Sequence, residues 1–348
     1  LGRRFRERPS QKIQLSMEKT IAVVVSYNRQ SLLAECIDAL RKQTQKPDAI
    51  LVINNGSTDR TAEWLSKQID VHCITQANLG SAGGFNTGIK WAYENGYSWI
   101  WCMDDDGYPH PEALQNLLVN EPLQHRALLN CAVLNKEDKR TFVWRTADYK
   151  TIDEAKEKRI EGIGHPFNGT LIHRSIVEKA GLPKGSLFLW GDETEYYYRI
   201  TRKYQYPVYT IPSSIHYHPA AAFSLRKDWD FQQTWKMYFY IRNRLHIHRA
   251  KFKNLLLSYL HYSCFLVALT GVILLFQKTD RIKKIGFLFW PVKDAVSHNY
   301  TATPTLIIQK LNRQENSWKL PVVSLRTKWE HLIHALRLRP QRDTANLT

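Results

Sequence analysis

The chain is poor in cysteine, and what it has is scattered. Its five cysteines, Cys36, Cys73, Cys102, Cys131 and Cys264, are odd in number and form no C-x-x-C pair. That excludes a disulfide framework and a structural zinc site, and it fits a reducing compartment. Neither G-x-G-x-x-G nor Gly-Lys-Ser/Thr occurs, so the dinucleotide fingerprint and the P-loop are both missing. No internal repeat or low-complexity tract is visible. Residues 1–16 (LGRRFRERPSQKIQLS) lack an apolar stretch and are not a secretory signal. Met17 stands just before the first strand, and residues 1–16 read as an upstream segment outside the fold.

Carboxylates are scarce in the last third. Residues 226–348 hold 21 Lys/Arg against 7 Asp/Glu, a net +14, whereas residues 17–225 balance at −1 and residues 1–16 carry +4. The net charge of +17 therefore belongs to the tail, and it implies a partner with an anionic surface. Nucleic acid and an acidic membrane leaflet are the two physical candidates.

With 348 residues, 43% of them hydrophobic, the chain has material for one large domain or two smaller ones. Residues 20–26 (TIAVVVS) read as a buried parallel strand, and 31–43 carry apolar residues at helical spacing. Residues 49–53 are a second strand, 58–69 a second helix, 71–75 a third strand, 81–95 a helix entered through glycines, and 98–103 a fourth strand. Strands alternating with helices in this way predict an α/β fold with a doubly wound, mostly parallel sheet. Ligands bind such sheets at the carboxyl ends of the strands. Three polar clusters fall there: Tyr27-Asn28, Asn54-Asn55-Gly56-Ser57 and Asp104-Asp105-Asp106.

Farther on, 136–165 reads as a charged, weakly patterned insertion or loop, 167–173, 186–190 and 207–211 as strands, and 192–204 as a helix. From Arg226 long helical patterns rich in aromatic and basic residues take over. Residues 255–276 (LLLSYLHYSCFLVALTGVILLF) carry no formal charge and are long enough to span a bilayer. The polar residues within them and the lack of a second such stretch favour an interfacial or core helix.

Each cluster has a bland reading beside the chemical one. Three adjacent carboxylates after an apolar strand repel one another, a cost that a divalent cation relieves; the alternative is a solvated acidic turn before Pro109. The glycines of 78–88 (NLGSAGGFNTG) suit close approach to a phosphate at a helix N-terminus, or equally a tight helix–sheet contact. In Trp190-Gly191-Asp192-Glu193-Thr194-Glu195-Tyr196 an acid can serve as base beside a sugar-stacking aromatic, yet acids also favour any helix start. His216 and His218 share one side of an extended segment, and either is a candidate metal ligand.

Together these stretches resemble glycosyltransferase family two on the GT-A fold: VVVSYNR (23–29), VINNGSTD (52–59), NLGSAGGFNTG (78–88), MDDDG (103–107), FNGTLIHR (167–174), WGDETEY (190–196) and IHYH (215–218). The glycine run, WGDE and YFYIRNR (238–244) are similar to a bacterial galactofuranosyl- and rhamnosyltransferase branch. The resemblance implies a catalytic domain over 17–225, while the net +14, the apolar stretch 255–276 and the aromatics make 226–348 a basic helical region expected to associate with a membrane. Donor-binding residues would be Tyr27, Asn28, Asn54, Ser57, Asn78, Gly83, Gly84, Asp104, Asp105 and Trp190. Asn54 stands where the family usually has an Asp. Asp104, Asp106 and His218 would hold Mn²⁺ or Mg²⁺. Glu193 matches the catalytic base, with Asp192 as its rival.

The implied reaction is an inverting transfer from a nucleotide sugar, with galactofuranose from UDP-galactofuranose or rhamnose from dTDP-rhamnose as donor. The acceptor would be a lipid-linked or oligosaccharide glycan, and the place the cytoplasmic, inner face of a bacterial membrane. Two other classes remain beside it: a nucleic-acid-binding protein, favoured by charge alone, and a non-catalytic membrane-surface factor. The catalytic region has no basic track for nucleic acid, and intact Asp104, Asp106, Asp192, Glu193 and His218 argue against lost chemistry.

Overall fold

In the computed structural model of the protein, residues 18–120, 126–220, 224–231 and 234–313 are described. The upstream segment 1–16 and the part of the basic tail from 314 to 348 lie outside the described residues. Eleven strands form one connected sheet: β1 (Thr20–Ser26), β2 (Ala49–Asn54), β3 (Val71–Thr75), β4 (Trp99–Asp104), β5 (Tyr108–Pro109), β6 (Leu128–Asn135), β7 (Thr141–Thr146), β8 (Tyr149–Thr151), β9 (Ile160–Glu161), β10 (Asn168–His173) and β11 (Val208–His218). The order β3-β2-β1-β4-β10-β6-β11-β5 puts β1 at the heart of a parallel half. β10 runs antiparallel between β4 and β6, and β11 is parallel to β6. The sheet is thus mixed but mostly parallel, as expected.

Helices α1 (Gln30–Arg41), α2 (Thr61–Leu65), α3 (Gly80–Glu94), α4 (Ala113–Val119), α5 (Arg174–Ala180) and α6 (Asp192–Tyr198) accompany the sheet. Each sheet face buries its own cluster. Ala22, Val24, Val52, Trp101 and Met103 meet Leu33, Ile37 and Leu40 of α1. Ile21, Val23, Ile53 and Cys102 meet Phe85 and Ile89 of α3. The strict alternation along β1 is what a strand covered on both sides needs.

Several expectations need correction. Residues 186–190 are not a strand: Gly185–Leu187 form a 3₁₀ turn, and Phe188 and Trp190 take left-handed backbone angles, φ 68° and 57°. Their apolar side chains pack against the helical region rather than into the sheet. The expected helix over 58–69 shrinks to α2, which Asp59 starts by accepting the Thr61 N–H at 3.0 Å. The 136–165 insertion is ordered as β7, β8 and β9. The sequence reading places nothing between 108 and 135, where β6 joins β10 to β11.

After β11 the chain is helical: α7 (Lys236–Lys251), α8 (Leu255–Phe276), α9 (Arg281–Val296) and α10 (Pro304–Arg313). Met237, Tyr238, Phe239, Leu269, Ile273 and Phe287 make their shared core. α8 has the expected bounds, but it is not a core helix. It is apolar along its length, and little of that apolar surface is covered by the rest of the protein. Leu256, Leu260, Val267, Leu274 and Leu275 are each more than half exposed.

Candidate active site

Register builds the site. Parallel pairing sets Ser26 beside Asn54 and Val25 beside Asp104, so the clusters following β1, β2 and β4 emerge on one sheet edge. The loop leading into α6 is tied to the start of α3, where the Ala82 N–H donates to the Phe188 carbonyl at 3.0 Å, and this brings the start of α6 within electrostatic reach of Asp104.

The three aspartates have different surroundings. Asp105 is buried, accepting from Ser26 Oγ at 2.7 Å and Arg29 Nη1 at 3.1 Å. Burial pushes its carboxyl up to about 6, against the pull of those two partners. Asp106 accepts from Arg29 at 2.7 Å and faces His218 Nε2 at 3.3 Å. Burial works to raise it, but His218 and Arg29 outweigh burial and hold it down at about 2. Asp104 is raised well above the carboxylate range by burial, then by Asp106 and Asp105.

Asp192 is buried, its Oδ1 has no hydrogen-bond partner, and burial followed by the Glu193 charge raises it strongly. Glu193 is less enclosed; its Oε2 accepts the Gly191 N–H at 3.0 Å and its Oε1 the Thr194 hydroxyl at 3.3 Å.

Of the two histidines, only His218 belongs to the site. Its Nδ1 lies 2.7 Å from the Pro219 carbonyl, which orients Nε2 toward Asp106. His216 is buried beneath Gly107, and both its ring nitrogens lack partners. Burial, then the His218 charge, lower its pKa to about 3.

The residues expected on the nucleoside side are knit to one another. Asn28, at φ 54°, donates its N–H to Ser57 Oγ at 3.0 Å and accepts from Thr58 N at 2.6 Å. Tyr27 beside it is 43% exposed, open to a ligand. Asn54 is buried, its amide used on Ser57 N and Thr75 Oγ1, so it secures the turn. Asn78 likewise accepts from Gly80 N at 2.9 Å. Gly83 and Gly84 are buried packing glycines: a Cβ on Gly84 would fall 2.4 Å from Val25 Cγ1, and one on Gly83 would strike Leu79. Gly84 thus fits the tight helix–sheet alternative, whereas Gly83 packs against the first turn of its own helix.

Sequence reasoning missed four residues. Arg29, the last residue of VVVSYNR, bridges Asp105 and Asp106. Lys236 lies over the Trp190 ring at 5.7 Å; burial and Arg29 lower its pKa while Asp106 opposes them. Buried Asn243 donates to the carbonyls of Leu187 and Leu189 at 2.9 Å and of Trp190 at 3.2 Å. Arg242 adds a bond to Leu187 O at 2.8 Å. These two fix the loop that delivers Trp190, Asp192 and Glu193. Both lie within YFYIRNR, the only signal the sequence offered.

A divalent cation fits this donor set. Asp106 Oδ1 is buried and faces only His218 Nε2, at 3.3 Å, and Asp104 sits among like charges. No three His, Cys, Asp or Glu side chains among the described residues are gathered as a ready cage. A magnesium-type site does not need one, since one or two carboxylates plus substrate phosphate oxygens suffice.

Comparison with known proteins gives the same direction. The family model for glycosyl transferase family 2 matches residues 21–181. The chain is 32% identical over 216 residues to galactofuranosyltransferase GlfT1 of Mycolicibacterium smegmatis, covering 58% of this chain and 71% of the relative. It is also 32% identical over 218 residues to GlfT1 of Mycobacterium tuberculosis, covering 59% and 71%. In fold it is similar to the crystal structure of S. aureus TarS, with a TM-score of 0.52 at 13% identity over 85% of this chain and 53% of that one. The chain belongs to glycosyltransferase family 2: it is a hexosyltransferase that uses a nucleotide-sugar donor, related to the bacterial GlfT1-type galactofuranosyltransferases.

Proposed function

We propose that the protein transfers galactofuranose from UDP-galactofuranose to a cell-surface glycan acceptor, inverting the anomeric carbon in one displacement. The observation that carries this reading is the meeting of Asp104–Asp106, Asp192–Glu193 and His218 at one sheet edge, in a chain related to galactofuranosyltransferases. Asp104, Asp106 and His218 are the residues that would hold Mn²⁺ or Mg²⁺. Such a cation, when bound with the donor, offsets the charge of the leaving diphosphate. Tyr27 offers an exposed ring beside the nucleoside, and Trp190 an aromatic face beside the sugar.

Glu193 acts as the base. It takes the proton of the acceptor hydroxyl as that oxygen attacks the anomeric carbon from the face opposite the diphosphate. Asp192 is enclosed and held toward its neutral form, so it is the poorer candidate. No covalent intermediate is required.

Residues 17–225 form the catalytic unit in this reading, and 226–348 a region that docks on the inner face of the membrane. The exposed apolar side chains of α8 support docking, since each gains roughly 1.5–3 kcal/mol on full burial. The net +14 of 226–348 adds attraction of about 1 kcal/mol per Lys or Arg at an anionic surface.

The experiment is a donor screen with Mn²⁺, comparing turnover of UDP-galactofuranose and dTDP-rhamnose. Preference for UDP-galactofuranose is expected. Turnover of dTDP-rhamnose alone would replace the sugar assignment and leave the family unchanged.

A further inference from the structure

A cleft of about 510 Å³ opens where the end of α6 meets α7 and the segment after α9. None of its lining residues belongs to the carboxylate cluster described above. Five of them are Lys or Arg, and one, Glu195, is acidic. Glu195 is buried and already paired twice, with Lys184 at 2.9 Å and Arg199 at 3.1 Å. Lys203, Arg249 and Lys253 have no carboxylate partner among the described residues. Arg249 instead points a guanidinium nitrogen at His298 Nε2, 3.1 Å away, a contact that requires a neutral imidazole.

The floor is built rather than incidental. His246 is buried, and the Tyr300 hydroxyl lies 2.9 Å from its Nε2. Burial, then the charges of Lys184, Arg249 and Arg242, hold His246 neutral with a pKa lowered to about 3. Uncompensated cations therefore converge on a polar hollow of the size that holds small molecules.

We propose that this cleft binds a phosphate or diphosphate group, at a site separate from that of the nucleotide sugar. Arginine forks and lysine ammonium groups match phosphate oxygens, and a bounded cleft open to solvent suits one compact anion rather than a duplex track. The group comes either from a soluble phosphate compound or from a lipid headgroup. Lys253 immediately precedes Asn254, the N-cap of apolar α8. A phosphate held in the cleft can thus carry a hydrocarbon tail along that helix.

The test uses the full chain and inorganic pyrophosphate, followed by calorimetry in EDTA, so that the carboxylate cluster repels the probe. Wild type should bind. Lys203→Glu with Arg249→Glu should weaken binding at least tenfold. Lys278→Glu with Lys283→Glu, an equal charge change elsewhere on the basic region, should leave it within twofold. Circular dichroism checks folding, and Arg249→Gln alone, expected to weaken binding severalfold, serves if the double variant unfolds. No binding by wild type, or equal losses in both double variants, overturns the proposal. Vesicles of phosphatidylcholine with phosphatidic acid then separate the sources. Because α8 and the basic tail dock in either case, weaker vesicle binding by Lys203→Glu with Arg249→Glu than by Lys278→Glu with Lys283→Glu assigns the cleft to a lipid phosphate, and equal vesicle binding by the two assigns it to a soluble one.

Discussion

Asp192 and Glu193 stand side by side at the start of α6 in opposite surroundings. Asp192 is enclosed, with an unpartnered oxygen, while Glu193 is tethered by the Gly191 N–H with its carboxylate at the site. Glu193→Gln keeps the shape but cannot accept a proton. Turnover should fall by ~10²–10⁴-fold while donor affinity stays within about twofold. A crippled Asp192→Asn beside a normal Glu193→Gln would reverse the two roles. Asp105 makes a prediction on stability. Its folded pKa of about 6 lies above the ordinary 3.8, so the folded state binds more protons than the unfolded between these values. Stability from this group is present at low pH and is lost as pH rises toward 6, a cost of roughly 3 kcal/mol at neutral pH. Asp105→Asn should therefore melt higher than wild type at pH 7, with the gap closing by about pH 4. A lower melting point at pH 7 would mean that its bonds to Ser26 and Arg29 outweigh the burial cost. The acidic triad was visible in the sequence, but Arg29 was not singled out, because a cation lying across two carboxylates is a tertiary fact.

Among elements, the loop over 185–191 matters most to the site. Gly191, at φ 120°, lets the loop pass over α7, where a Cβ would fall 2.9 Å from Ile247 Cδ1. Asn243 secures three of its carbonyls, so Asn243→Ala should lower the turnover number more than the affinity for donor. It should also destabilise the protein by about 1–3 kcal/mol through carbonyls left unpaired. Unchanged turnover with only a lower melting temperature would reduce Asn243 to a structural role. This loop was misread as a strand because its short apolar run has no period to separate sheet from helix contact. By contrast, β1 and β2 were legible from β-branched runs and β4 from an aromatic, apolar one, each ending in a polar cluster, and α8 from its length and lack of charge. β6 (LLNCAVLN) went unread because a short continuous apolar run gives no distinctive period.

For the whole molecule, the parallel half of the sheet was legible from strand–helix alternation, while the antiparallel β10 was not, since strand direction comes from long-range pairing. The helical region raises the question of location. If α8 and the basic tail dock on an anionic leaflet, the chain should float with anionic liposomes, bind neutral ones weakly, and release in high salt. Equal binding to neutral vesicles would remove the electrostatic part, and resistance to carbonate extraction would make α8 a span. The central claim is that Asp104, Asp106 and His218 hold a cation with the donor diphosphate while a carboxylate on α6 activates the acceptor. Its most direct measurement is sugar transfer from UDP-galactofuranose against Mn²⁺ concentration, for wild type and Asp106→Ala. Transfer should rise with Mn²⁺ in wild type, vanish in EDTA, and stay at least ~100-fold lower in Asp106→Ala at every Mn²⁺ level. Full transfer in EDTA, or an Asp106→Ala enzyme as fast as wild type, would contradict it.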